Sequence, residues 1–181
     1  MDVMRKDEIY TIDDIYALPQ GARAEIVDGK IYYMAPPSRT HQRLLHFFDV
    51  MIENYIQAKN GSCEVYPAPF AVFLDPEDDT TYFEPDISVI CDTSKLDEKG
   101  CHGAPDWIIE IVSPGSKSMD YFTKLVKYQA ANVREYWIVN PVKEQIIVYQ
   151  FEDGKVKEVE QYSFAEEVPV GIYEGFSIKV Q

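Results

Sequence analysis

Three charged residues stand where apolar strands and a helix should meet, and they limit how this chain can fold. Asp86 lies in Phe83-Glu84-Pro85-Asp86-Ile87-Ser88-Val89-Ile90, and Glu110 interrupts Trp107-Ile108-Ile109-Glu110-Ile111-Val112. Lys124 follows in Asp120-Tyr121-Phe122-Thr123-Lys124. A carboxylate inside a run as apolar as that around Glu110 is costly to bury unless its charge is compensated. Two such acids on neighbouring strands repel one another, and a divalent cation, a basic partner or a shared proton relieves the repulsion. The fold must therefore relieve that repulsion in one of these three ways.

The remaining composition narrows the class. A chain of 181 residues, 46% of them hydrophobic, can bury a substantial core and is expected to form one domain over residues 1–181. Its apolar runs are strand-sized, so no membrane span is expected. The first residues, Met1-Asp2-Val3-Met4-Arg5-Lys6-Asp7-Glu8, lack the apolar stretch of a signal peptide. Cys63, Cys91 and Cys101 cannot all pair within one chain and lack metal-ligand spacing, so reduced thiols in a cytoplasmic protein are expected. With 31 acidic and 17 basic residues the net charge is −14. That balance argues against indiscriminate coating of nucleic acid, which draws its affinity from neutralising phosphates.

Local patterns predict a mixed order of elements. Thr11 to Leu18 reads as a short helix with Thr11 as N-cap, and Ala24 to Met34 as a hairpin turning at Asp28-Gly29. The longest helix spans about Arg39 to Lys59, with Leu44, Leu45, Phe47, Phe48, Met51, Ile52, Tyr55 and Ile56 at helical spacing and Asn60-Gly61 as its stop. Strands are expected at Cys63 to Tyr66, Phe70 to Leu74, Tyr82 to Cys91 and Trp107 to Val112, and Asp92 to Ala104 reads as a polar connection. A serine-capped helix over Met119 to Ala131 closes at Asn132. Further strands are expected at Arg134 to Asn140, Gln145 to Phe151 and Lys155 to Tyr162, and a last edge strand within Gly171 to Val180. Together these give an α/β (α+β) domain with one mixed central sheet flanked by helices.

Read singly, each charged residue has an ordinary structural explanation. Asp86 can cap a turn after Pro85, Glu110 can pair with Lys124, and Lys124 can belong to a solvated helix face with Lys117 and Lys127. Read together, they suggest a reaction centre. If Asp86 and Glu110 share a face at adjacent strand ends, their oxygens can chelate one hard cation, and Mg²⁺ accepts one or two carboxylates plus several waters. A nearby lysine can orient the attacking water or stabilise charge developing on a phosphate. Lys124 has Asp120 and Tyr128 one turn to either side on the same face. Glu25, in an apolar strand arm, and His41, at the opening of the long helix, are further candidates for the rim of such a centre. His46 and His102 have no supporting context, and Asp106 suits a turn at the start of the Glu110 strand. The chain lacks both a phosphate-binding glycine loop and a serine in a nucleophile elbow.

The order Pro85-Asp86, Glu110, then a helix resembles the PD-(D/E)xK nuclease superfamily. Glu110-Ile111-Val112-Ser113-Pro114, Asp120 to Lys124, Tyr128 and Val133-Arg134-Glu135-Tyr136-Trp137-Ile138-Val139-Asn140-Pro141 resemble the Uma-type family of restriction-endonuclease-like proteins. Glu25-Ile26-Val27-Asp28-Gly29 and His41 fit the family's amino-terminal pattern, and the resemblance runs from about Thr11 to Tyr149. It implies a restriction-endonuclease-like mixed sheet with flanking helices, to which the local patterns add an amino-terminal hairpin and extra carboxy-terminal strands. It also implies Asp86 and Glu110 as metal ligands and Lys124 as the site lysine. The superfamily's lysine commonly stands two residues after the acid, where this chain has Val112. The Uma-type pattern instead carries it on the following helix. Asn132 and Asn140 stand where glycine and aspartate are common. The expected activity is Mg²⁺- or Mn²⁺-dependent hydrolysis of nucleic acid, DNA first, with a catalytically silent binding or regulatory module as the alternative. A homodimer is expected, through an open edge from Gln145 onward carrying Ile146, Ile147, Val148, Tyr149 and Phe151.

Overall fold

The computed structural model describes residues 8–180, so the charged opening Met1 to Asp7 lies outside the described residues. In chain order the elements are α1 (Ile12–Tyr16), β1 (Ala24–Val27), β2 (Lys30–Tyr33), α2 (Arg39–Ala58), β3 (Glu64–Pro67), β4 (Val72–Phe73), β5 (Ile87–Ile90), β6 (Leu96–Asp97), β7 (Gly100–His102) and β8 (Trp107–Ile111). A π-helical turn (Met119–Lys124) then runs into α3 (Leu125–Ala130), followed by β9 (Glu135–Asn140), β10 (Gln145–Glu152), β11 (Lys155–Ser163), β12 (Val168–Pro169) and β13 (Ser177–Ile178). The central six-stranded sheet has the order β11-β10-β9-β8-β5-β3. Only β8 and β9 run parallel within it, joined by the crossover that carries the π turn and α3. The sheet is mixed, as expected.

Alternation along β8 sets the two sides of the molecule. Trp107, Ile109 and Ile111 face α2, which buries Leu44, Leu45, Phe48, Ile52 and Ile56 against them. Phe48 meets Trp137 edge-on at 6.2 Å between ring centroids, and truncating a fully buried phenylalanine typically costs about 3–5 kcal/mol. Ile108 and Val112 face the other way, where Tyr128, Val133, Tyr136 and Ile138 close a second core under α3. Glu110 lies between Ile108 and Val112 on this second face.

The amino-terminal hairpin turns through Asp28 and Gly29, both at positive φ (49° and 74°), as a two-residue Asp-Gly turn requires. It docks on the main body where Ile26 bridges Tyr82, which places Glu25 beside the start of β5. Ser38 caps α2 by accepting the His41 N–H at 3.2 Å, so the proline-rich approach fixes the backbone of His41. Asn60 and Asn132 adopt the left-handed conformation expected of helix stops.

Several expectations are corrected. Cys63 and Cys91 form a disulfide rather than remaining as free thiols, since pairing of Glu64 with Ile90 brings the next two residues together across β3 and β5; Cys101 is free and buried. The connection from Asp92 to Ala104 holds a 3₁₀ turn (Thr93–Lys95) and two short strands, in a three-stranded sheet of order β4-β7-β6. The second helix opens as a π turn, and the Ser118 side chain makes no capping hydrogen bond. The carboxy-terminal strand β13 pairs with β12 instead of extending the main sheet. The stretch from Gln145 is not an open edge, because β10 lies between β9 and β11 and buries Ile146, Val148 and Phe151. At this end of the sheet the edge strand is β11, whose Lys155, Lys157, Glu158 and Glu160 are exposed, and charge on an edge disfavours pairing with another chain. No helix among the described residues is long and apolar enough to cross a membrane.

Candidate active site

The register of β5 against β8 brings the two strand acids together. Ile87 pairs with Ile109 in antiparallel register, so Asp86, one residue earlier, lies across from Glu110, one residue later. Residues opposite one another in such a ladder share a face. The Ile111 N–H donates to Asp86 Oδ2 at 2.7 Å, so the carboxylate continues the ladder in place of a backbone carbonyl. His41 Nε2 lies 3.1 Å from the same oxygen. Both acids are buried, at 8% exposure for Asp86 and 3% for Glu110.

Lys124 is also buried, at 3% exposure, and is not part of a solvated face with Lys117 and Lys127. Its Nζ lies 2.8 Å from Glu110 Oε1, 2.9 Å from Glu25 Oε1 and 3.9 Å from Asp120 Oδ1. The pairing of Glu110 with Lys124 foreseen by the ordinary structural explanation is thus formed, whereas Asp86 makes its side-chain hydrogen bonds to β8 and α2 rather than capping a turn after Pro85. Glu25 also accepts the Glu84 N–H at 3.0 Å, which ties the hairpin to the residue two before Asp86. Tyr128 O–H donates to Glu110 Oε1 at 2.9 Å. Asp120, Lys124 and Tyr128, noted at helical spacing, converge here. Sequence reasoning gave Asp120 and Tyr128 no role, although their spacing from Lys124 was the available signal.

Electrostatics show what the cluster lacks. Glu25, Asp86, Glu110 and Asp120 supply four carboxyl groups against one lysine and one histidine. Burial, reinforced by the neighbouring acids, pushes Glu110 well above the ordinary carboxylate range and Asp120 up to about 6. Burial alone would lower Lys124, but Glu110, Glu25 and Asp120 outweigh it and hold the ammonium charged well above its usual range. His41 is likewise raised: burial opposes the shift, but its hydrogen bond to Asp86 and the charges of Asp86 and Asp120 prevail.

The donor set suits a hard cation in one respect. The hydrogen bonds to Asp86 fall on Oδ2 and those to Glu110 on Oε1, so each acid keeps a second oxygen without a protein partner among the described residues. No group of three or more His, Cys, Asp or Glu side chains among those residues is arranged to hold a metal ion. Any cation here would take two carboxylate oxygens and complete its shell with water, a ligand set that Mg²⁺ accepts.

Elsewhere, Asp106 accepts the Cys91 N–H and pairs with Arg134, and His102 pairs with Asp97.

Comparison with known proteins agrees with this architecture. The structure is similar to the crystal structure of a putative nuclease belonging to DUF820 from Anabaena variabilis ATCC 29413, with a TM-score of 0.70 and 22% identity over 90% of each chain. At that identity the likeness shows the fold. No curated protein matches the chain. The Uma2 family, described as "Putative restriction endonuclease", matches residues 12–181, and the chain belongs to that family.

Proposed function

We propose that the protein is a Mg²⁺-dependent endonuclease that hydrolyses phosphodiester bonds of DNA, with Mn²⁺ as a substitute cation. The observation that carries this reading is the pairing of Asp86 and Glu110 at opposed positions of β5 and β8, each with an uncommitted oxygen, beside a buried lysine. When bound, the cation would polarise a phosphoryl oxygen and make water a better nucleophile. The protein's residues supply position and charge. Ile111 N–H and His41 hold Asp86, while Tyr128 and Lys124 hold Glu110. Lys124, kept cationic by Glu25 and Glu110, orients the attacking water or stabilises the oxyanion that develops on phosphorus. Glu25 therefore serves by anchoring Lys124, and His41 by orienting Asp86.

Incubating the protein with single-stranded, double-stranded and branched DNA in Mg²⁺ or Mn²⁺ tests the proposal. Cleavage that Asp86→Ala and Glu110→Ala abolish is expected. The idea is lost if no substrate is cut, or if both variants cut as well as the parent. Cutting both strands of a duplex would call for two sites, and hence a homodimer with twice the single-chain mass in light scattering. With β10 covered by its neighbours, this requirement alone supports the dimer.

One observation favours a second reading, a silent module on the same scaffold. Lys124 already neutralises part of the charge on Glu110 and Glu25 without a metal. Calorimetry with Mn²⁺ separates the two, because binding that depends on both Asp86 and Glu110 counts against a silent scaffold.

A further inference from the structure

We infer that the concavity between the first turn of α2 and the turn after β9 binds phosphate, holding a nucleic-acid backbone phosphate of the same strand outside the carboxylate centre. This rests on the phosphodiesterase reading above but concerns different residues. The concavity, about 440 Å³, is lined by Arg39, Thr40 and Arg43 from α2, by Pro141 and Glu144 after β9, and by Phe164. Arg39 and Arg43 stand four residues apart, one above the other on the helix, and both are exposed. Of the four described arginines, Arg23 pairs with Glu84 and Arg134 with Asp106, whereas Arg39 and Arg43 have no acidic partner among the described residues. Two guanidinium groups against the single carboxylate of Glu144 leave the lining net positive. Guanidinium is also the side chain best shaped for bidentate contact with phosphate. In a chain of net charge −14, affinity for a polyanion must come from such local points.

Position ties the concavity to the reaction centre. Pro141 stands two residues past Val139, whose carbonyl accepts the Val112 N–H at 2.8 Å, and Val112 stands two residues past Glu110. Both sites therefore occupy the same end of the sheet, the concavity on the α2 side and the carboxylates on the α3 side. His41 lies between Arg39 and Arg43 in sequence, and its ring reaches Asp86. A strand whose reacting phosphate sat at Asp86 and Glu110 would cross the first turn of α2 to reach the arginines.

The test measures binding of a fluorescent single-stranded oligonucleotide in EDTA, where no cutting can interfere, alongside calorimetry with inorganic phosphate. Arg39→Gln/Arg43→Gln should weaken oligonucleotide binding about tenfold or more, and Arg39→Lys/Arg43→Lys should recover part of it. The slope of log affinity against log salt should fall by about 1.4, the loss of two contacts to a single strand. Both arginines are exposed, so the variants should melt with the parent. Equal oligonucleotide binding by parent and double-glutamine variant overturns the inference, as does a parent that binds neither probe. Arginine-dependent binding of inorganic phosphate alone would make free phosphate the ligand and overturn the backbone assignment. Arginine-dependent oligonucleotide binding with no cleavage in Mg²⁺ or Mn²⁺ leaves the subsite standing and removes the endonuclease reading.

Discussion

His41 Nε2 lies 3.1 Å from Asp86 Oδ2, although 45 positions separate the two residues. The contact requires Ser38 to start α2 at a defined place and β5 to start at a defined register. A partner of this kind fixes the rotamer of a carboxylate and is therefore expected to influence any cation the carboxylate binds. His41→Ala should lower Mn²⁺ affinity and cleavage about 10- to 100-fold, the usual range for groups that orient a metal ligand. Calorimetry and a cleavage time course measure the two effects. Unchanged values in both would mean that Ile111 N–H positions Asp86 without help.

Lys124→Met tests the electrostatics of the cluster. Without the ammonium group, Glu110 and Glu25 remain buried and lose a counter-charge at 2.8 and 2.9 Å. Removing one partner of a buried ion pair typically costs about 3–5 kcal/mol, and urea unfolding should show a loss of this size. Mn²⁺ should recover part of the loss, because a cation between the acids would replace the missing charge. A midpoint equal to that of the parent would mean that the acids take up protons instead.

Much of this arrangement was legible from local pattern. The hairpin followed from Asp28-Gly29, the long helix from its apolar spacing, and the opposed acids from their interruption of two apolar strands. What the sequence concealed depends on pairing between distant segments. The disulfide requires Glu64 to face Ile90, a register that no local feature of Cys63 or Cys91 specifies. Burial of β10 depends on β11 returning along it, so its apolar residues resembled an open edge. Asp120 and Tyr128 were visible on the helix face of Lys124. Their part in the cluster became apparent only once the strand acids had been placed beside that face.

A second buried carboxylate should make stability depend on pH. Glu135 is fully buried in β9, where its oxygens accept hydrogen bonds from Trp137 Nε1 at 2.5 Å and Ile172 N–H at 2.9 Å. Burial pushes it from 4.5 up to about 7, although these hydrogen bonds oppose the shift. The folded state therefore holds a proton that the unfolded chain releases near pH 4.5. Its stabilising contribution is complete below that pH and is lost as pH rises to about 7, by up to about 3 kcal/mol. Asp120 shifts in the same direction and adds to the slope at lower pH. Metal-free urea unfolding at intervals between pH 4.5 and 7.5 should show this decline, and Glu135→Gln should flatten it. An unchanged slope in the variant would assign the pH dependence to the Asp120 and Glu110 cluster.

Tyr128→Phe separates orientation from packing at the carboxylate centre. The ring of Tyr128 is fully buried, with Phe83 and Tyr136 packed edge-on to it, and phenylalanine keeps those contacts. The change removes one hydrogen bond, from the hydroxyl to Glu110 Oε1 at 2.9 Å. A hydrogen bond to a charged group contributes about 1.5–3 kcal/mol, so its loss should reduce cleavage about tenfold or more if Glu110 acts as an ionised ligand. Lys124 still holds the same oxygen, so the fold should survive and the aromatic cluster should keep its near-ultraviolet circular dichroism. Glu110 should then ionise less readily, and the activity-against-pH curve should move to higher pH as the acid loses a donor that favours its charged form. Unchanged activity with no movement of that curve would show that Tyr128 acts through packing alone.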